Sequence, residues 1–182
     1  MASGAGSNAA NILSYFNTRG IAEVVLIASN KSDAGVLGIA AAHGVPTYIL
    51  TRENFSLSGD FAEHLKSLGV DLVVLAGFLW KVPEEMVKLF PHKIINIHPA
   101  LLPKYGGKGM YGHFVHEAVY AAGEPESGIT IHWVNEHYDA GAIIAQYSVD
   151  VSGCDPKGIE LKVRELEMKW FPVVLEEVLT SC

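Results

Sequence analysis

Short, continuous apolar runs alternate with amphipathic stretches through the first hundred residues. VVLIA at 24–28 and VDLVVLA at 70–76 have the unbroken, β-branched character of strands covered on both faces. Shorter strands are predicted at 46–50 and 93–97. Small and apolar residues at helical spacing predict a helix over 34–43, with Gly44 as its stop. Residues 61–68 form an amphipathic helix closed by Gly69, and Pro83 opens another through about residue 90. The alternation predicts an α/β fold with a doubly wound, mostly parallel sheet.

The second half is patterned differently. A helix is expected over 111–122, ending at Gly123. GITIHWV at 128–134 and AIIAQYSVDV at 142–151 read as a C-terminal β-hairpin joined by the turn-rich NEHYDAG. Residues 156–180 form a long amphipathic final helix, with a kink or break expected at Pro172. The beginning is unusual. SGAGSN at 3–8 resembles a strand-to-helix loop leading into a helix over 9–16, yet only Met1 and Ala2 precede it. The first strand, usually central in such sheets, is therefore expected to be missing from the sequence. Without upstream residues a complete, stable domain is not expected.

Composition narrows the partners. At 182 residues and 49% hydrophobic, the chain fits a single domain with a substantial core. A formal net charge of −7 argues against a broad nucleic-acid surface. The longest apolar run, 72–80, is too short to span a bilayer. Two cysteines, Cys154 and Cys182, lack metal-ligand spacing and fit a reduced, cytoplasmic setting.

Three stretches carry candidate chemistry. In SGAGSN the glycines let backbone N–H groups approach an anion, and the helix start adds partial positive charge. Ser7 and Asn8 cap the helix or meet a ligand oxygen. An ordinary glycine-rich helix start reads the same way, and the spacing matches neither a Walker loop nor a full dinucleotide fingerprint. In NIHP, Asn96 and His98 are two apart on a strand and point to the same side. Asn96 can donate to an oxyanion, and His98 can donate or act as acid or base. A strand-end histidine bonded to backbone is the structural alternative, although ligands of open α/β sheets sit beyond the strands' carboxyl ends. In HYDAG, Asp139 is a turn aspartate, or a carboxylate that raises an adjacent imidazole's pKa.

Together, these residues resemble the glycinamide ribonucleotide branch of the folate-dependent formyltransferases. The matching segments are SGAGSN at 3–8, SNKSDAGVL at 29–37, VVLAGF at 73–78, INIHPALLPKYGG at 95–107, GITIHWV at 128–134 and DAGAIIAQ at 139–146, with Glu167 and Phe171–Pro172 in the last helix. The resemblance implies direct formyl transfer from 10-formyltetrahydrofolate, a co-substrate, to the amine of glycinamide ribonucleotide in purine synthesis. It implies attack through a tetrahedral intermediate, with no metal. Asn96, His98 and Asp139 correspond to the catalytic trio, with protonated His98 and Asn96 facing the oxyanion and Asp139 keeping His98 charged. Gly4, Ala5, Gly6, Ser7 and Asn8 correspond to the phosphate cradle, and Glu167 to a substrate contact. Leu79, Trp80 and Val82, with Asn96 and Asp139, correspond to the folate site, although Leu79 and Val82 read equally as ordinary core. Lys104, Thr130 and His132 are supporting residues; Thr130 and His132 lie on the strand leading to Asp139 and read equally as plain strand.

By the same resemblance, 1–182 is a single formyltransferase domain of Rossmann-like fold. Residues 1–100 form its phosphate-binding half, and 101–182 its folate-binding and catalytic-loop half. The expected partners are small molecules, not nucleic acid or membrane, and the protein is expected as a monomer or weak homodimer. Trp80 stands where many relatives have arginine. KYGGKGMYGH at 104–113 reads as a mobile lid, with Lys104 and Lys108 as electrostatic contacts. His43, His64, His92, His113, His116 and His137 receive no role. A methionyl-tRNA formyltransferase would share NIHP and the Asp loop but carry a basic C-terminal domain. A formyltetrahydrofolate hydrolase usually adds an N-terminal regulatory domain. A non-catalytic phosphate-binding module has no reason to gather Asn96, His98 and Asp139.

Overall fold

The computed structural model describes residues 1–57 and 59–181; Cys182 lies outside them. The chain divides into two compact units, Met1–Ile95 and Asn96–Cys182.

The first unit alternates helix and strand as α1 (Ser7–Asn17), β1 (Ile27–Ser29), α2 (Gly35–Ala42), β2 (Thr47–Ile49), α3 (Asp60–Ser67), β3 (Val73–Leu75) and α4 (Glu84–Leu89). β1 and β2 pair in parallel, Ile27 opposite Thr47 and Ser29 opposite Ile49, with α2 as the crossover. Leu13, Ile27, Ala34, Val36 and Ala40 form a core cluster with Ala2. No strand is assigned ahead of the glycine-rich loop, but Met1–Ser3 makes strand-like bonds on two sides. Ala2 N donates to Ala28 O at 3.1 Å, Ser3 N to Gly77 O at 3.0 Å, and Ala76 N to Met1 O at 3.0 Å. The Met1 amine donates to Val74 O at 2.6 Å. Three residues thus bridge β1 and the β3 segment and deliver the chain to the loop.

β4 (Ile94–His98) crosses the division between the units. In the second unit α5 (His113–Ala121) is followed by β5 (Glu126–Trp133), β6 (Ile143–Asp150) and α6 (Pro156–Thr180). β5 lies between β4 and β6 and pairs antiparallel with β6, Thr130 opposite Gln146. A bulge between Ile131 and His132 interrupts that register. α6 packs on α5 and β5 through Ile159, Val163, Phe171, Val174 and Leu175. Burying each such side chain is worth about 1.5–3 kcal/mol.

Several sequence expectations shift. The buried runs yield only three-residue strands, Ile27–Ser29 rather than 24–28 and Val73–Leu75 rather than 70–76. Apolar composition reports burial, whereas a strand also needs a hydrogen-bonded neighbour at each position. α6 does not break at Pro172, which is buried between Phe171 and Val174. Burial of these side chains offsets the roughly 3 kcal/mol cost of an internal proline. A π-helical turn, Glu53–Leu57, had no sequence signal; it places buried Phe55 against Phe61, Phe78 and Trp80.

Candidate active site

In the second unit, Asn96 and His98 leave the end of β4 on one side, as their spacing requires. Asp139 comes from the β5–β6 loop with φ 51, a left-handed conformation that aspartate tolerates. The next turn is possible because Gly141 has no Cβ: one built there would sit 1.7 Å from the Trp133 carbonyl oxygen. The loop therefore doubles back closely and returns Asp139 to the strand ends. His98 Nδ1 lies 3.6 Å from Asp139 Oδ2, with the imidazole 4% exposed and the carboxylate 12%.

Hydrogen-bond chemistry assigns the protons. His98 Nε2 is 2.8 Å from Tyr105 O, a carbonyl that only accepts, so Nε2 carries the hydrogen. His132 Nδ1 is 2.8 Å from Trp133 O and donates there. Its other nitrogen, Nε2, lies 3.1 Å from Asn96 Nδ2 and 3.7 Å from Asp139 Oδ1. Asn96 Nδ2 also donates to Asp139 Oδ1 at 3.5 Å. Asp139 Oδ2 accepts from Gly107 N at 2.8 Å.

Burial lowers the pKa of His98 below its usual 6.5, and His132 adds to the effect; the Asp139 charge and the Tyr105 carbonyl oppose it and lose. This corrects the expectation that Asp139 keeps His98 charged. The ring is nearly solvent-free, and desolvation of the imidazolium exceeds the attraction of one partly screened carboxylate. Burial also pushes the Asp139 carboxyl up, but His132, His98 and the Gly107 N–H outweigh it and hold Asp139 below its usual range. Asp139 is therefore ionised near neutral pH, with His98 poised to accept a proton at Nδ1.

Thr130 and His132 alternate on β5 and share a side. Thr130 Oγ1 donates to Ala100 O at 2.7 Å and accepts from Leu102 N at 3.0 Å. Gln146 Nε2 bonds Leu102 O and Thr130 Oγ1, both at 2.9 Å. These bonds hold the ALLP segment after His98. Lys104 turns outward, its ammonium 2.8 Å from Glu124 Oε1. Its expected electrostatic contact is thus taken by a neighbouring carboxylate. Lys108 is exposed. Glu167 is half-buried on α6.

The first unit places the other predicted residues. Gly6 precedes α1 with φ 81, and no side chain caps that helix. Val36 N donates to Gly4 O at 3.1 Å, so the start of α2 shapes the 4–6 loop. Ala5 packs against Gly35. Ser7 begins α1, and Asn8 is buried in its first turn. Ser3 Oγ donates to Asn30 Oδ1 at 2.5 Å and accepts from Leu79 N at 3.0 Å, joining the loop to the AGF segment. Leu79 is 39% exposed, Val82 is core at 4%, and Trp80 is half-buried. The Arg52 guanidinium lies 4.2 Å over the Trp80 ring. Among the described residues no three His, Cys, Asp or Glu side chains form a group able to hold a metal. No described helix is long and apolar enough to cross a membrane.

Sequence reasoning assigned no role to Gln146, Glu124, Gly107 N or the Tyr105 carbonyl. Gln146 had a signal, facing Thr130 across the hairpin. The backbone groups had none, because any residue supplies an N–H or C=O.

The fold is that of an α/β protein whose second unit gathers Asn96, His98 and Asp139 at the end of β4. The chain belongs to the formyl transferase family, whose model matches residues 1–175. It is 42% identical over 159 residues to a chloroplastic phosphoribosylglycinamide formyltransferase of Arabidopsis thaliana, covering 84% of this chain and 54% of that protein. It is 36% identical to the Haemophilus influenzae phosphoribosylglycinamide formyltransferase, covering 96% and 82% of the two chains. The crystal structure of phosphoribosylglycinamide formyltransferase from Anaplasma phagocytophilum superposes with a TM-score of 0.89 at 32% identity, covering 99% of this chain and 85% of that one. The chain spans about half the length of the plant relatives it matches, 54% and 44%.

Proposed function

We propose that this protein transfers the formyl group of 10-formyltetrahydrofolate to the amine of glycinamide ribonucleotide, a step of purine biosynthesis. The observation that carries the reading is the Asn96–His98–Asp139 cluster within a formyl transferase chain. A new bond forms between the substrate amine and the formyl carbon, the bond from that carbon to the folate nitrogen breaks, and the amine proton ends on that nitrogen. Asn96 donates to the tetrahedral oxyanion, and protonated His98 offsets its charge; one oxyanion donor is typically worth about 10²–10³ in rate. His98 becomes charged as the oxyanion forms, because a negative charge beside a buried imidazole offsets its desolvation. Ionised Asp139 then holds the proton on Nδ1 and assists its passage to the leaving nitrogen, through water.

Gly4, Ala5, Gly6, Ser7 and Asn8 receive the ribonucleotide phosphate, for which the uncapped α1 start supplies N–H groups. Glu167 contacts the same substrate. Leu79, Trp80 and Val82, with Asn96 and Asp139, receive the folate; Thr130 and His132 support the trio. In this reading the chain is one catalytic domain, a monomer or weak homodimer, working in the cytoplasm on small molecules.

The test mixes the protein with 10-formyldideazafolate and glycinamide ribonucleotide and follows the deformylated product in the near ultraviolet. Ribonucleotide-dependent turnover that collapses by about 100-fold or more in His98→Ala and Asp139→Asn supports the assignment. Deformylation without the ribonucleotide would instead place the protein with the hydrolases. A folded wild type that turns over neither way overturns the reading.

A further inference from the structure

The segment following the trio touches two of its members. Tyr105 O accepts from His98 Nε2 at 2.8 Å, and Gly107 N donates to Asp139 Oδ2 at 2.8 Å. Tyr105 itself has φ 57, an uncommon value for an aromatic residue. What keeps it there lies on the outer side. Glu124 Oε1 accepts from the Tyr105 hydroxyl at 2.9 Å and from Lys104 Nζ at 2.8 Å. The segment is not held by tight packing: a cavity of about 290 Å³ borders it, lined by Leu102, Pro103, Tyr105, Val119, Glu124 and Ser127, among others. Ser127 Oγ is buried there with no hydrogen-bond partner.

We propose that Glu124 and the Tyr105 hydroxyl form a latch that positions the catalytic His98. The latch keeps the Tyr105 carbonyl on Nε2 and so reserves Nδ1, the nitrogen facing Asp139, as the atom that takes up the proton. The inference rests on the transfer reaction proposed above for its kinetic consequence, but not for its structural one. With Nε2–H fixed on the carbonyl, neutral His98 turns its bare Nδ1 towards a carboxylate 3.6 Å away. That arrangement is relieved by a proton at Nδ1. Without the carbonyl, Nδ1 can carry the single hydrogen and point it at Asp139, and the ring has less reason to become charged. The Tyr105 contact accordingly raises the His98 pKa against the effect of burial. The groups facing His98 are Asp139, His132, the Tyr105 carbonyl and, from α5, His116. Glu124 acts on His98 only through Tyr105, as a positioning residue.

The test is imidazole ¹⁵N NMR of the full chain labelled at histidine, which reports which ring nitrogen bears hydrogen. In wild type, neutral His98 shows hydrogen on Nε2 and a bare Nδ1. Tyr105→Phe keeps the backbone carbonyl but releases its anchor, and Glu124→Ala does the same from the other end. Both are expected to shift hydrogen towards Nδ1 and to lower the His98 titration midpoint. Glu124→Gln, whose amide oxygen still accepts from Tyr105, and Lys104→Met should keep the wild-type pattern. In the transfer assay, Tyr105→Phe and Glu124→Ala lower kcat about tenfold with the ribonucleotide KM unchanged, the effect of a misplaced catalytic group. If Tyr105→Phe and Glu124→Ala lose thermal stability yet leave the His98 nitrogens as in wild type, the latch is only structural and the proposal fails. The NMR result stands without turnover, so loss of the reaction reading and loss of the latch are separately visible.

Discussion

Replacing Gly6 by alanine tests whether the glycine-rich loop has the shape assigned to it. Gly6 sits at φ +81, and a Cβ there would meet Val36 Cβ and Cγ2 at 2.7 Å and its Cα at 2.8 Å. The backbone atom cannot be moved by a rotamer change, so the start of α2 must shift. Val36 is fully buried, which leaves it no free direction to yield. A left-handed alanine costs about 1–2 kcal/mol. Overpacking a close contact adds about 1–3 kcal/mol. The sum, about 3 kcal/mol, lowers Tm by about 6–12 °C at the roughly 2–4 °C per kcal/mol of a chain this size. Gly4→Ala is the control, because nothing lies within 4 Å of a Cβ there and its φ lies outside the left-handed region. Its cost should stay within about 0.5 kcal/mol. Calorimetry gives both values, and the KM for glycinamide ribonucleotide should rise in Gly6→Ala. A Gly6→Ala protein melting within about 2 °C of Gly4→Ala would refute the reasoning, since less than about 1 kcal/mol would then separate a clash from open space.

Two further predictions concern the second unit and the chain's response to acid. Thr130→Val keeps the shape but strands the buried Leu102 N–H and Ala100 carbonyl that Oγ1 now serves. At about 1–3 kcal/mol per stranded group the loss is about 2–6 kcal/mol, read by urea unfolding; a change below about 0.5 kcal/mol would show that neither bond matters. His98 and His116 both have pKa values lowered from 6.5 by burial. Below pH 6.5 the unfolded chain binds protons that the folded chain refuses, so stability is full above 6.5 and falls as pH drops towards the folded values. Asp139, lowered from 3.8, loses its contribution only at still lower pH. The urea midpoint should therefore fall between about pH 7.5 and about pH 5.5, and His116→Phe should flatten that slope. A flat wild-type profile would contradict both histidine directions.

Much of the fold could be read from local pattern. The helices of the first unit ended at Gly44 and Gly69 because each glycine takes the positive φ that closes a helix, 68° in both cases. The hairpin followed from two apolar runs around NEHYDAG. What periodicity could not see was how few residues in a buried run find a ladder partner, so 24–28 and 70–76 each became a three-residue strand. The break expected at Pro172 did not follow for a related reason: the local cost of a proline is visible in sequence, but its buried neighbours are brought there by the fold.

The candidate site divides along the same line. Sequence alone determined that Asn96 and His98 share a side, since a strand has period two, and that a polar loop must connect Thr130 and His132 to Asp139. It also placed a glycine-rich loop ahead of the first helix, where Gly6 takes a positive φ. The tertiary structure decided which nitrogen of His98 bears hydrogen, that burial lowers its pKa despite Asp139, and that Lys104 is held by Glu124 rather than pointing to a ligand. These depend on backbone carbonyls, distances and lost solvent around one ring, and none of those quantities is a property of a residue's type or its spacing along the chain.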